Sequence, residues 1–147
     1  MKSKSTKSTT SKSSKSKLVP LPKLKKKAQD IFNKWIRNRD KEERCISCGG
    51  PVEQAGHYFS SGHFSALTFD EMNVNGQDIR CNMFLNGNLI YYRQGLVRKY
   101  GQDAVNELEK KAEVRTYNWS RTELEEIITK YKLWVVLIII WVIMILL

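Results

Sequence analysis

The sequence predicts a small α+β domain: a short hairpin-and-loop core pinned by zinc and flanked by helices, with a basic tail before it and an apolar helix after it. Three observations carry this. Two i, i+3 pairs of metal-ligating residues, Cys45/Cys48 and Asp78/Cys81, bracket a Gly-containing, irregular stretch. Segments on either side of that stretch place apolar residues at helical spacing. The length, 147 residues, suits one domain plus tails, whose lean core gains from a metal.

The chain carries 25 Lys+Arg against 15 Asp+Glu, a net charge of +10. Ten Lys and no acid fall in residues 1–27, and the other 120 residues balance at 15 basic and 15 acidic. The basicity therefore belongs to a tail and does not by itself assign nucleic-acid binding to the core. Residues 2–17 are only Lys, Ser and Thr. They bury too little to offset their ordering entropy, so 1–19 are expected to be a disordered arm, contacting phosphates or merely solubilising. Length and the lack of a repeat exclude a multidomain enzyme, a large transporter and a solenoid. Three cysteines cannot close a disulfide framework, and no apolar signal segment opens the chain, so a reducing cytoplasm is expected.

After Pro20 and Pro22, the residues Leu24, Ala28, Ile31, Phe32, Trp35 and Ile36 predict an amphipathic helix to about Asp40, with Lys25, Lys26 and Lys27 among its basic residues. Residues 45–82 read as turns, Gly49-Gly50 and Gly76, around strand-like stretches such as His57-Tyr58-Phe59. Residues 83–100 read as a helix broken by Gly87 and Gly95, with Leu89, Tyr92, Leu96 and Val97 as apolar contacts, and 102–113 as another. Ser120 with Glu123 forms a capping box ahead of Leu124, Ile127, Ile128 and Tyr131. The folded domain should span 20–132.

Residues 133–147 are apolar throughout. A helix of that length covers about 22 Å, short of a hydrocarbon core of about 30 Å. The expectation is a marginal anchor to the inner membrane, with Lys130 and Lys132 at the cytoplasmic interface, or a segment buried in an oligomer.

The chemistry concentrates between the two ligand pairs. Cys45, Cys48 and Cys81 supply three soft ligands for a structural zinc, and Asp78 is spaced to supply the fourth. Both histidines, His57 and His63, lie in the insert, followed by Asp70, Asn73 and, after Cys81, Asn82. His, then Asn, then Cys-Asn, framed by two metal-binding knuckles, is the HNH nuclease order. Phosphodiester hydrolysis needs a base near neutral pH, which imidazole provides. It also needs a divalent cation, Mg²⁺ or Mn²⁺, on the scissile phosphate, and an amide to pin the loop that holds the histidine.

The run from Cys45 to about Glu109 resembles the NinG/Rap recombination family of lambdoid phages. The matching residues are Cys45-Ile46-Ser47-Cys48-Gly49, Ala55-Gly56-His57-Tyr58, Phe69-Asp70-Glu71 with Asn73, Gln77, Cys81-Asn82, Gly87-Asn88-Leu89 with Tyr92-Arg93, and Gly101-Gln102 with Ala104-Val105. The likeness extends over roughly 23–132. It implies an HNH-like ββα-metal core and a structure-selective endonuclease acting on branched DNA such as Holliday junctions and D-loops. His57 carries over as general base, Asn73 as the loop-orienting amide and Asn82 as the final HNH position near the catalytic metal. Lys25, Lys26, Lys27 and Arg93 are candidate DNA contacts, and two symmetric cuts would suit a homodimer. Asp78 replaces a cysteine of the family pattern. Gly56 stands where many other HNH enzymes carry a metal-binding Asp, which leaves His63 and Asp70 as candidate ligands. The alternative is a non-catalytic, zinc-containing DNA-binding accessory of recombination, membrane-attached if the apolar segment is an anchor.

Overall fold

The computed structural model describes residues 18–146; the expected disordered arm, 1–19, lies outside the described residues except for Leu18 and Val19, which are exposed. Pro20 and Pro22 start helix α1, Leu21–Arg39, since proline suits the first helical turn, where its missing N–H has no intrahelical role. Its buried stripe is Leu24, Ala28, Phe32, Trp35 and Ile36. The helix ends as the Asp40 N–H returns to the Ile36 carbonyl.

Two strands follow, β1 (Gln54–His57) and β2 (Val74–Gln77), antiparallel with Gln54 opposite Gln77 and His57 opposite Val74. β1 stops at His57, earlier than the expected strand-like run His57-Tyr58-Phe59. The Tyr58 ring packs 5.5 Å from Tyr92 and the Phe59 ring 4.9 Å from Phe64, so both aromatics turn away into a core and end the ladder. A single 3₁₀ turn, Ser65–Leu67, lies in the connection between the strands, and a π turn, Arg80–Phe84, follows β2.

Helix α2 (Leu89–Tyr100) starts after Asn88 in the left-handed region and is joined to α3 (Gln102–Lys111) through Gly101 at φ +88°. Gly95 does not break α2. A Cβ there would lie 1.9 Å from the Ile46 carbonyl oxygen, so the glycine lets the Cys45–Gly50 turn rest on the helix backbone. Leu89, an expected inward contact, is exposed in the first turn, while Tyr92 and Leu96 carry the burial.

The capping box forms as expected: the Ser120 N–H donates to Glu123 Oε2 and the Glu123 N–H to Ser120 Oγ, at the head of α4 (Arg121–Leu146). Two cores result. The first joins α1 to α4 through Phe32, Trp35, Leu124, Ile128 and Tyr131, with Phe69 and Val74 beneath. The second holds Ile46, Leu67, Tyr92, Leu96, Val105 and Leu108. Past Tyr131, α4 exposes Leu133, Trp134, Leu137 and Met144. For the expected anchor the finding is limited to length: among the described residues no helix is long and apolar enough to cross a membrane. The first half of α4 is charged and packs on α1, which leaves the apolar part too short.

Candidate functional site

The sequence brings Cys45, Cys48, Asp78 and Cys81 together. One ligand atom from each lies within 4.8 Å of every other, the one such grouping of His, Cys, Asp or Glu among the described residues. The turn builds itself from the backbone: the Gly49 N–H donates to the Cys45 carbonyl, the Cys45 N–H to the Gly50 carbonyl, and Gly49 takes φ +75°. Gly50 is required by approach rather than torsion, because a Cβ there would meet Asp78 Oδ2 at 2.8 Å. The Gly50 N–H and Asn88 Nδ2 donate to the sulfurs of Cys48 and Cys81. Such bonds orient ligands and stabilise thiolate charge.

Asp78 serves two purposes. Its Oδ1 accepts the Cys81 N–H at 2.6 Å, closing the turn, and its Oδ2 lies 2.9 Å from Cys48 Sγ. Desolvation and the hydrogen bond to the Asp78 carboxylate push the Cys48 thiol up to about 12. A divalent cation held by these residues would reverse that, replacing the thiol protons with a stronger positive charge. Three sulfurs and one carboxylate oxygen form a donor set able to hold a metal ion.

His57 ends β1, half-buried, with Nε2 3.2 Å from the Thr68 carbonyl. A carbonyl only accepts, so Nε2 carries the proton and Nδ1 keeps its lone pair. Burial lowers the His57 pKa, only partly offset by the Thr68 bond, so the ring is neutral at physiological pH. Asn73, fully buried, clamps the chain after it: Nδ2 donates to the Phe59 and Leu67 carbonyls and Oδ1 accepts the Phe59 N–H. Asn82 reaches back to β1, with Nδ2 2.6 Å from Gln54 Oε1. The three residues therefore sit around one short hairpin.

Other expected residues take different positions. His63 lies on the exposed turn that starts at Ser60. Asp70 caps the turn into β2, its Oδ1 accepting the Met72 and Asn73 N–H groups and its Oδ2 facing Lys111. Neither joins a ligand cluster, because nearness in sequence to His57 is not nearness in space on an irregular connection. Arg93 is held in a two-bond pair with Glu109, and Lys26 pairs with Asp30 on the surface of α1. Lys27 is exposed and Lys25 is half-buried.

Three residues support the site in ways that the sequence motifs do not show. Tyr92 counted as an apolar contact, yet its buried hydroxyl donates to the Gly56 carbonyl at 2.8 Å and accepts from Asn75 Nδ2. Asp40, 1% exposed, accepts from Arg39 and from the Gly76 N–H, tying α1 to β2. Gln77, wholly buried, links β2 to Ser47 Oγ and the Gly87 carbonyl. For Gln77 the visible signal is polar residues at alternate positions, Asn73 just before β2 and Asn75 and Gln77 within it, where every residue is buried.

A family model described as Bacteriophage Lambda NinG protein matches residues 1–137. The protein called "Protein ninG" of Escherichia phage 933W is 38% identical over 110 residues, 73% of this chain and 54% of that protein. "Protein ninG" of Escherichia phage lambda is 36% identical over 110 residues, 73% and 53% of the two chains, and that of Salmonella phage P22 is also 36% identical over 110 residues. The chain thus spans about half the length of the curated relatives it matches. No solved structure matches. Family model and relatives agree, and this chain belongs to the NinG family of lambdoid phages.

Proposed function

We propose that this chain is a metal-dependent, structure-selective DNA endonuclease of phage recombination, cutting branched intermediates, with a structural zinc on Cys45, Cys48, Asp78 and Cys81. The observation that carries the reading is His57: its pKa lowered by burial, its Nε2 on the Thr68 carbonyl, and no hydrogen bond on Nδ1 among the described residues. Three thiolates and a carboxylate suit Zn²⁺, whose tetrahedral sites take such ligands.

In this reading His57 Nδ1 takes a proton from water as its oxygen bonds to phosphorus and the ester P–O bond on the far side breaks. Asn73 keeps the ring in place by holding both flanks of the following turn. Tyr92 supports the same strand from below through the Gly56 carbonyl. A Mg²⁺ or Mn²⁺ ion beside Asn82 would stabilise charge developing on the phosphate and the leaving oxygen. Branched DNA is the proposed partner, with Lys25, Lys27 and the residue 1–17 lysines as its phosphate contacts and a homodimer as the form that makes paired cuts.

The test is cleavage of a synthetic four-way junction and of its duplex arms by the zinc-loaded chain, against His57→Ala. Removing a group that acts only in the chemical step should abolish cutting and leave binding intact. Binding without cutting by the unaltered chain would instead mark a DNA-binding accessory.

A further inference from the structure

Position 56, directly before the histidine, has no side chain, and what fills its place is an amide oxygen. A Cβ on Gly56 would lie 1.9 Å from Gln77 Oε1 and 3.1 Å from Asn82 Oδ1. Neither amide is free to turn over. Gln77 Nε2 donates to Ser47 Oγ at 2.7 Å and to the Gly87 carbonyl at 2.8 Å, and that carbonyl cannot donate in return. Asn82 Nδ2 is likewise engaged, on Gln54 Oε1. Both oxygens thereby converge on the place that a Cβ of Gly56 would take, one residue before His57 in β1. Gln77 Oε1 is buried and has no hydrogen-bond partner among the described residues. Buried acceptors are almost always paired, so an orphan one indicates a missing donor or ion.

We infer that Gln77 Oε1 and Asn82 Oδ1 are the protein's ligands for a hard divalent cation, with Gln77 in the role that a side chain at position 56 cannot fill. The inference rests on the nuclease reading for its purpose but on the geometry for its place. Carbonyl oxygens suit Mg²⁺ and Mn²⁺ rather than zinc, which the thiolates take. Both ligands are neutral, so the protein alone attracts the ion weakly, and a phosphate must supply the negative charge. Cation and DNA then raise each other's affinity by the same factor. The site also explains why neither His63 nor Asp70 is needed near the histidine.

Mn²⁺ binding to the zinc-loaded chain, followed by electron paramagnetic resonance with and without a short duplex, tests this. The unaltered chain should bind one Mn²⁺ weakly and more tightly with duplex. Gln77→Met and Asn82→Ala should each weaken binding by about tenfold or more while zinc content is unchanged. Mg²⁺ titration of the unaltered chain should shift the side-chain amide resonances of Gln77 and Asn82, which decides the matter even if Gln77→Met fails to fold. Mn²⁺ affinity unaffected by Gln77→Met, or Gln77 resonances that ignore Mg²⁺, would mean that only water meets this oxygen and would overturn the inference. Gln77-dependent Mn²⁺ binding in a chain that cuts no DNA would support the site and remove the nuclease reading. Cutting with Gln77-independent Mn²⁺ binding would do the reverse.

Discussion

Gly95→Ala is a substitution for which local and tertiary physics disagree in sign. In the interior of an ordinary helix the change stabilises by about 1 kcal/mol, because alanine loses less backbone entropy. Gly95 lies in the middle of α2, and its φ is not in the left-handed region, so that gain applies. Against it stands a new methyl 1.9 Å from the Ile46 carbonyl oxygen and 2.9 Å from the Ile46 carbonyl carbon. These are backbone atoms of the metal-binding turn and cannot swing aside as a side-chain tip would. The turn must lift from α2, a misfit costing about 3 kcal/mol, at the upper end of overpacking. The net expectation is a loss of about 2 kcal/mol, which at roughly 4 °C per kcal/mol for a domain of this size is about 8 °C in Tm. Calorimetry on the zinc-loaded protein, with a chelator competition for zinc, reads both consequences: a lower Tm and weaker zinc retention, since Cys45 and Cys48 ride on the displaced turn. An unchanged or raised Tm would refute the account of why a glycine sits inside α2.

Two further changes probe the framework. Burial opposes ionisation of Asp40, but the Arg39 guanidinium, the Gly76 N–H and Lys99 outweigh it and hold the carboxyl below its ordinary value. The stability it contributes is present above the unfolded value of about 3.9 and is lost as pH falls through the lower folded value. Asp40→Asn should cost about 3 kcal/mol near neutrality and flatten the acid limb of a stability–pH curve; an unchanged limb would place that acid sensitivity elsewhere. Asp78→Cys should tighten zinc binding by completing a four-sulfur set, provided the new sulfur also accepts the Cys81 N–H; native mass spectrometry with competing chelator reads it, and unaltered zinc affinity would mean that Asp78 is not a ligand.

Much of this architecture was legible from spacing alone. The i, i+4 and i, i+3 rows of α1, the Ser120–Glu123 box and the two ligand pairs are local patterns, and local patterns survive folding. What escaped is tertiary. Gly95 resembles a helix breaker until Ile46 is seen against it. The end of β1 depends on where the Tyr58 and Phe59 rings find their partners. Asp70 and His63 share a loop with the histidine, but loop order does not say which side chains face one another. Gln77 and Tyr92 act through a polar atom at the tip of a buried side chain, and hydropathy patterns do not distinguish such a residue from an ordinary core position.

The central claim, that His57 works as a neutral base, is tested most directly by the pH dependence of single-turnover junction cleavage. With burial lowering the His57 pKa, the rate should stay level as pH falls through the ordinary histidine value of about 6.5 and decline only below it. His57→Ala should lose this activity and regain part of it with added imidazole, whose rescue should follow the fraction of free base. A rate that breaks at or above the ordinary value, or a His57→Ala protein that still cuts with the unaltered profile, would contradict the account.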